Sequence, residues 1–237
     1  EIIIDTPKFP SKFEDLSVEE VSSILFTAKE RANDLQRDFR IRYISIFKNQ
    51  GALAGASISH PHTQIIALPI IPKNILTEIE SCRNHYKKTS RSLVCDLAIS
   101  EIRAKVRVVE DDDNFVSFCP YASFWPFEVN ICPKKTVKDF TALDDGSIFE
   151  LSRILLSSVK RISMALKGVS FNIFLKTMPP KREDVEPNFY YKMDEFYRWH
   201  IEIVPRIPVI GGFELSSGFF INTVAPEESA KFLRSII

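Results

Sequence analysis

Lys48-Asn49-Gln50-Gly51-Ala52-Leu53-Ala54-Gly55-Ala56-Ser57-Ile58-Ser59-His60-Pro61-His62-Thr63-Gln64 leaves one β-rich run and enters another. Gly51 and Gly55, with small residues between them, allow a tight turn whose N–H groups come close to a ligand, a construction suited to phosphate oxygens. His60, His62 and Gln64 alternate, so in a strand all three side chains emerge on one face. Later in the chain, His200-Ile201-Glu202 leading to Pro205 echoes His62-Thr63-Gln64 leading to Pro69. That echo makes the chain a repeat, and a repeat constrains the whole architecture.

The repeat extends backwards from both triplets. Pro7-Lys8, Lys12-Phe13 and Leu16 precede one amphipathic helix, and Pro133-Lys134, Lys138, Phe140 and Leu143 precede another. The first helix is expected over Ser17 to Leu35, where Ser17 and Glu20 form a capping box and Val18, Val21, Leu25, Ala28, Ala32 and Leu35 share a face. The second begins after Asp144 and Asp145, with Ile148, Leu151, Leu155, Ile162 and Leu166 at helical spacing. Strands are expected at Ile41 to Lys48, Gln64 to Leu68, Val106 to Val109, Phe115 to Phe118, Phe127 to Cys132, Ser170 to Lys176 and Trp199 to Val204, with a hairpin turn at Asp111 to Asn114. Pro180 to Asp194 is polar and aperiodic and reads as a surface loop. The expected fold is α+β: two tandem modules, residues 1–90 and 91–237, each an antiparallel sheet with a packed helix. The second module carries Arg91 to Cys132 ahead of its Pro-Lys landmark and the first only Glu1 to Thr6, so the first module's opening hairpin is expected to be absent from this chain.

Composition narrows the class of partner. Of 237 residues, 45% are hydrophobic and 26% charged, an ordinary globular balance. Lys plus Arg and Asp plus Glu both number 31, so no overall positive field exists to hold a nucleic acid. No apolar run approaches the roughly 20 residues of a membrane helix, and no signal segment opens the chain. The four cysteines, Cys82, Cys95, Cys119 and Cys132, form no CxxC pair, and a reduced, cytoplasmic setting is expected.

The triplet points to chemistry at phosphorus. A lone histidine on a sheet is ordinarily a satisfied polar residue, but three ordered polar groups beside a Gly/Ser turn look like a site. Neutral imidazole is a good nucleophile, and a histidine whose other ring nitrogen bonds to backbone attacks without first losing a proton. Gln64 can donate an amide hydrogen bond to a phosphoryl oxygen but cannot deliver a proton, which favours a leaving group that needs none, such as a phosphate.

On Gly55 through Gln64, and on Phe127-Glu128, Trp199 to Pro205 and Gly211-Gly212-Phe213-Glu214, the chain resembles the galactose-1-phosphate uridylyltransferase family, the transferase branch of the histidine-triad superfamily. The resemblance implies that His62 attacks the α-phosphorus of a nucleotide sugar, expels a sugar 1-phosphate and carries the nucleotidyl group to a second acceptor. Gln64 would hold phosphoryl oxygens, and His60 would support His62 by hydrogen bonding. Asn49 and Gly55, Ala56 and Ser57 would bind phosphates and ribose. Phe213, Glu214 and Asn222 correspond to sugar-contacting positions that in family dimers reach the partner's site, although Gly211-Gly212 reads equally well as a flexible turn. A homodimer is therefore expected, with uridylyl transfer first, adenylyl transfer to phosphate as in ADP-glucose phosphorylase second, and a non-catalytic nucleotide-binding protein as the rival from another class. Family members often hold zinc, but Phe9, Ser92, Thr136 and Arg198 stand where ligands would be, so no zinc and no other cofactor is expected.

Overall fold

The computed structural model describes residues 1–134, 139–182, 187–207 and 210–236. In chain order these form β1 (Ile2–Ile4), α1 (Val18–Leu35), β2 (Tyr43–Gln50), β3 (His62–Leu68), α2 (Lys73–Thr89), α3 (Leu93–Ala104), β4 (Val108–Asp111), β5 (Phe115–Phe118), β6 (Val129–Pro133), α4 (Asp145–Ala165), β7 (Phe171–Lys176), α5 (Pro187–Tyr190), α6 (Met193–Phe196), β8 (His200–Pro205), α7 (Gly212–Ser217) and α8 (Pro226–Arg234). Helix α1 starts where its capping box dictates: Ser17 Oγ accepts from Glu20 N at 3.2 Å and Glu20 Oε2 accepts from Ser17 N at 2.9 Å. Asp144 does the same work for α4 through Ser147 N at 2.7 Å.

The α+β expectation holds, and the strands of the two halves run on into one eight-stranded antiparallel sheet of order β1-β3-β2-β7-β8-β6-β5-β4. The joint is β2 against β7, with Phe47 opposite Phe174 and Asn49 opposite Asn172. On either side of it lie β3 and β8, the strands that open with His62 and His200, so the order is symmetric about the joint over its central strands. Only the second half adds the expected hairpin, β4 and β5, whose turn Asp112 closes by accepting from Asn114 N and Phe115 N. The division between residues 90 and 91 falls in the short turn between α2 and α3.

Strand alternation gives the sheet two unlike faces. Ile44 and Ile46 of β2, Ile65, Ile173, Ile201 and Ile131 point to α1 and α4 and form the main core with Val21, Ala28, Leu151, Leu155 and Val159. Tyr43, Ser45, Phe47 and Asn49 point the other way. There α2 and α3 cover the second half, and Ile75, Ile79 and Cys82 meet Tyr43, Met193, Phe196 and Tyr197. Met193, inside the stretch expected to be a surface loop, is buried, as is Phe196 just beyond it; Arg83 holds the stretch to α2 by donating to Phe189 O at 2.6 Å, and its burial comes from tertiary contact rather than from local periodicity. Residues 183–186 of that stretch, and Thr136 and Lys138, lie outside the described residues. Among the described residues no helix is long and apolar enough to cross a membrane.

Candidate active site

Two glycines build the turn between β2 and β3. Gly51 has φ +83° and Gly55 φ +80°, both in the left-handed region, with a 3-10 turn at Ala52–Ala54 between them. Gly51 is doubly required, since a Cβ there would fall 2.2 Å from Ser170 Oγ. The turn consumes some of the N–H groups expected to face a ligand: Ala54 and Ala56 donate to Gly51 O, and Gly55 donates to Ala52 O. No backbone acceptor among the described residues takes the N–H groups of the exposed Ser57, Ile58 and Ser59. Asn172, from the second half, fixes the turn by donating to Ala54 O at 2.9 Å and to Asn49 Oδ1 at 2.7 Å, while Asn49 Nδ2 lies 4.0 Å from where a Cβ on Gly55 would stand.

The histidines follow in extended chain. His62 Nδ1 is 2.9 Å from the carbonyl oxygen of His60. A carbonyl only accepts, so Nδ1 carries the proton and Nε2 keeps its lone pair. Nε2 has no hydrogen-bond partner among the described residues. His60 thus supports His62 through its main chain, whereas its ring donates from Nε2 to Thr6 O at 2.7 Å and stacks on Phe9 with centroids 5.5 Å apart. Gln64 lies opposite Phe47 of β2 and is half-buried, on the face His62 occupies, with its amide free of a partner among the described residues. Beside it, on the same face, a cavity of about 1470 Å³ opens over the second half, lined by Phe47 and Asn49, by Glu78 of α2, and by Glu128, Lys176 and Glu202.

Beneath the site strand lies a buried ion pair that sequence reading missed. Lys48 Nζ donates to Asp5 Oδ2 at 2.5 Å and to His62 O at 3.1 Å, and Thr63 Oγ1 donates to Asp5 Oδ1 at 2.9 Å. Lys48 lies inside the quoted motif and Asp5 just after β1, but only the register β1-β3-β2 brings them under His62.

At the echo in the second half, His200 Nδ1 also faces a carbonyl, that of Arg198, at 3.3 Å. Its Nε2 lies 3.5 Å from Glu202 and 3.9 Å from Glu78. Burial favours neutral imidazole, but the bond to Glu202 and the charge of Glu78 outweigh it and raise its pKa. Its Nε2 faces the carboxylates of Glu202 and Glu78, so the second triplet reads as a structural ionic cluster with Lys176, 3.3 Å from Glu202. Desolvation, reinforced by the nearby charge of Glu202, pushes Glu128 up to about 7.

Among the described residues the donor set does not fit zinc. Phe9 packs on His60, and the buried Arg198 donates from Nη1 to Asp194 O and Tyr197 O. Ser92 is a buried hydroxyl next to α3. Among the described residues no group of three or more His, Cys, Asp or Glu could hold a metal ion.

The C-terminal residues are placed elsewhere. Gly211 and Gly212 open helix α7, where Glu214 accepts from Gly211 N at 3.0 Å and Phe213 is 55% exposed. Asn222 donates to Ser123 O and Trp125 O, in the loop that leads into β6. Strand β6 is four places from β3, about 19 Å at ~4.8 Å per strand. Asn222 is thus fixed to the loop ahead of β6, and its neighbours Gly218 and Phe220 line the cavity that Phe47 and Asn49 also line.

Residues 1–72 match the model of the galactose-1-phosphate uridyl transferase N-terminal domain family. Over its whole length the chain is 31% identical to an ADP-glucose phosphorylase of Arabidopsis thaliana, spanning 64% of that protein. It is 26% identical over 99% of its length to a galactose-1-phosphate uridylyltransferase of Thermotoga maritima, covering 73% of it. The crystal structure of an Arabidopsis ADP-glucose phosphorylase with bound ADP-glucose superposes on the whole chain with a TM-score of 0.90 at 31% identity, and 73% of that chain is covered.

Proposed function

The chain belongs to the galactose-1-phosphate uridylyltransferase family, and from that premise we propose that it transfers a nucleoside monophosphate from a nucleotide sugar through a covalent nucleotidyl-His62. The observation that carries this reading is the tautomer of His62: Nδ1 is committed to His60 O and Nε2 is left as an unpartnered lone pair. In the first step Nε2 forms a bond to the α-phosphorus, and the bond from that phosphorus to the bridging oxygen breaks. The sugar 1-phosphate leaves with the electron pair and needs no proton, while Nδ1 keeps its proton, donated to the His60 carbonyl, which stabilises the imidazolium character of the intermediate. In the second step an acceptor oxygen attacks phosphorus and Nε2 departs with its pair. Gln64 donates its amide to the phosphoryl oxygens as charge builds, and the N–H groups of Ser57 to Ser59 offer further donors.

Identity of 31% along the whole chain to the plant phosphorylase, against 26% to the bacterial uridylyltransferase, supports AMP transfer from ADP-glucose to phosphate ahead of the uridylyl transfer expected from the motif. A homodimer is part of the same reading: Phe213, Leu215, Phe219 and Ile221 expose an apolar segment, and a two-fold partner is the expected source of the Phe213, Glu214 and Asn222 that reach His62. No zinc is assigned to the site. A reducing cytoplasmic compartment suits Cys82, Cys95, Cys119 and Cys132, all free thiols.

Incubation with ADP-glucose or UDP-glucose radiolabelled at the α-phosphate tests the proposal. Acid-labile label on the wild type, absent from His62→Ala, is the expected result, and the better donor names the base. No label from either donor, or label retained by His62→Ala, would refute it.

A further inference from the structure

Four consecutive residues of the site strand are gripped from one place. Thr6 O accepts from the His60 ring at 2.7 Å, Asp5 N donates to Pro61 O at 3.0 Å, Lys48 donates to His62 O at 3.1 Å, and Thr63 Oγ1 donates to the Asp5 carboxylate at 2.9 Å. The two charged side chains at the centre of this grip are 0% and 3% exposed, for Asp5 and Lys48 respectively. They lie on the helix-facing side of the sheet, near Phe13, whose ring centroid is 5.4 Å from Lys48 Nζ.

Stability is a poor reason for such a pair. Taking two charges out of water costs about as much as their attraction returns, and apolar residues of similar volume often serve the fold as well or better. What apolar residues cannot do is bond to a main chain. Lys48 supplies a directed donor to the carbonyl of His62 itself, and Asp5 ties the residues on either side of it. The ring of His62 is oriented by a bond to a carbonyl two residues earlier, so the direction of its Nε2 depends on the backbone from His60 to His62 being fixed.

We propose that Asp5 and Lys48 form a positioning clamp for the nucleophile: a buried ion pair retained because it sets the backbone, and through it the attack geometry, of His62. The inference rests on the nucleotidyl-His62 reading. Neither residue touches substrate, so both act on the rate of attack rather than on binding. A displacement of about 1 Å at a reacting atom costs on the order of a hundredfold in rate.

The test compares the intact protein with Asp5→Leu/Lys48→Met, which removes both charges together and leaves no unpaired ion, and with Thr63→Val, which removes one tie and keeps both charges. Single-turnover transfer of the radiolabelled nucleotidyl group gives the maximal rate and the substrate concentration for half-maximal rate; thermal melting reports the fold. The clamp predicts a double variant that melts near the wild-type temperature, is slowed about 10- to 100-fold, and keeps its half-saturating concentration within about threefold. Thr63→Val is expected to slow the step about threefold or more without moving half-saturation. A folded double variant reacting at the wild-type rate, or a loss lying wholly in half-saturation, would overturn the clamp. If the double variant does not fold, Thr63→Val decides alone, and an unchanged rate overturns it. A wild type that never takes label refutes the parent reading instead, so the two failures are distinct.

Discussion

Replacing Gly51 by alanine should unsettle the site turn far more than the same change at Gly55, although both residues have φ near +80°. The shared part of the cost is the left-handed backbone, roughly 1–2 kcal/mol for a residue with a Cβ. Surroundings supply the difference. At Gly55 the nearest atom to a new Cβ is Asn49 Nδ2 at 4.0 Å, an ordinary contact, whereas at Gly51 it would meet Ser170 Oγ at 2.2 Å, Cβ at 2.9 Å and Cα at 3.2 Å. Because a backbone atom of β7's lead-in is among these, a rotamer change cannot relieve the clash, and overpacking of this kind adds about 1–3 kcal/mol. The sum for Gly51→Ala is about 2–5 kcal/mol, against about 1–2 for Gly55→Ala. In a chain of this size, where 1 kcal/mol moves the melting temperature by roughly 2–4 °C, that separates the two by several degrees in a thermal melt. Adding Ser170→Gly to Gly51→Ala deletes the two closest atoms and should recover most of the steric share but none of the backbone share. Equal melting temperatures for the two single variants, or no recovery with Ser170→Gly, would refute the reasoning that the second half's Ser170 walls the turn.

Glu128 gives a pH dependence of stated sign. Its folded pKa of about 7 lies above the usual 4.5, so the folded state holds the extra proton and stability falls as pH rises between those values, by on the order of 3 kcal/mol in full. Glu128→Gln removes that dependence, so the stability difference between variant and wild type should move in the variant's favour across pH 4.5 to 7 in denaturant titrations; a flat difference counts against it. Elemental analysis of purified protein should find zinc far below one per chain, since Phe9 and Arg198 occupy ligand positions. Inactive His62→Ala and inactive Glu214→Ala chains, mixed under conditions of demonstrated subunit exchange, should recover activity; none would place both residues in one chain's pocket.

What the sequence made legible was whatever is written locally. Ser17 with Glu20 and Asp144 with Ser147 mark helix starts by short-range hydrogen bonds, so α1 and α4 were readable almost to the residue. The alternation of His62 and Gln64 likewise set their common face within β3, whereas His60 lies ahead of the strand with its ring bonded to Thr6 O. Helix α6 was not readable, because Met193 and Phe196 are buried by α2 and not by a period of their own. Nor was the strand order: alternation marks strands but not neighbours, so the union of β2 with β7 and the meeting of Asp5 with Lys48 were invisible. Lys48 in particular reads as an exposed charge at a strand end, and its burial follows only once β1 is paired to β3. The fate of the turn's N–H groups escaped for a similar reason, since glycine spacing announces a tight turn without saying that its own main-chain bonds use up the donors of Gly55 and Ala56.

Asn172 belongs to the half that carries His200, yet its amide holds both Asn49 and Ala54 of the half that carries His62. One carboxamide thus carries the geometry of the turn ahead of His62 across the β2–β7 seam. A substitution at residue 172 is expected to show its damage on the other side of the joint, in a turn that its own strand does not contain.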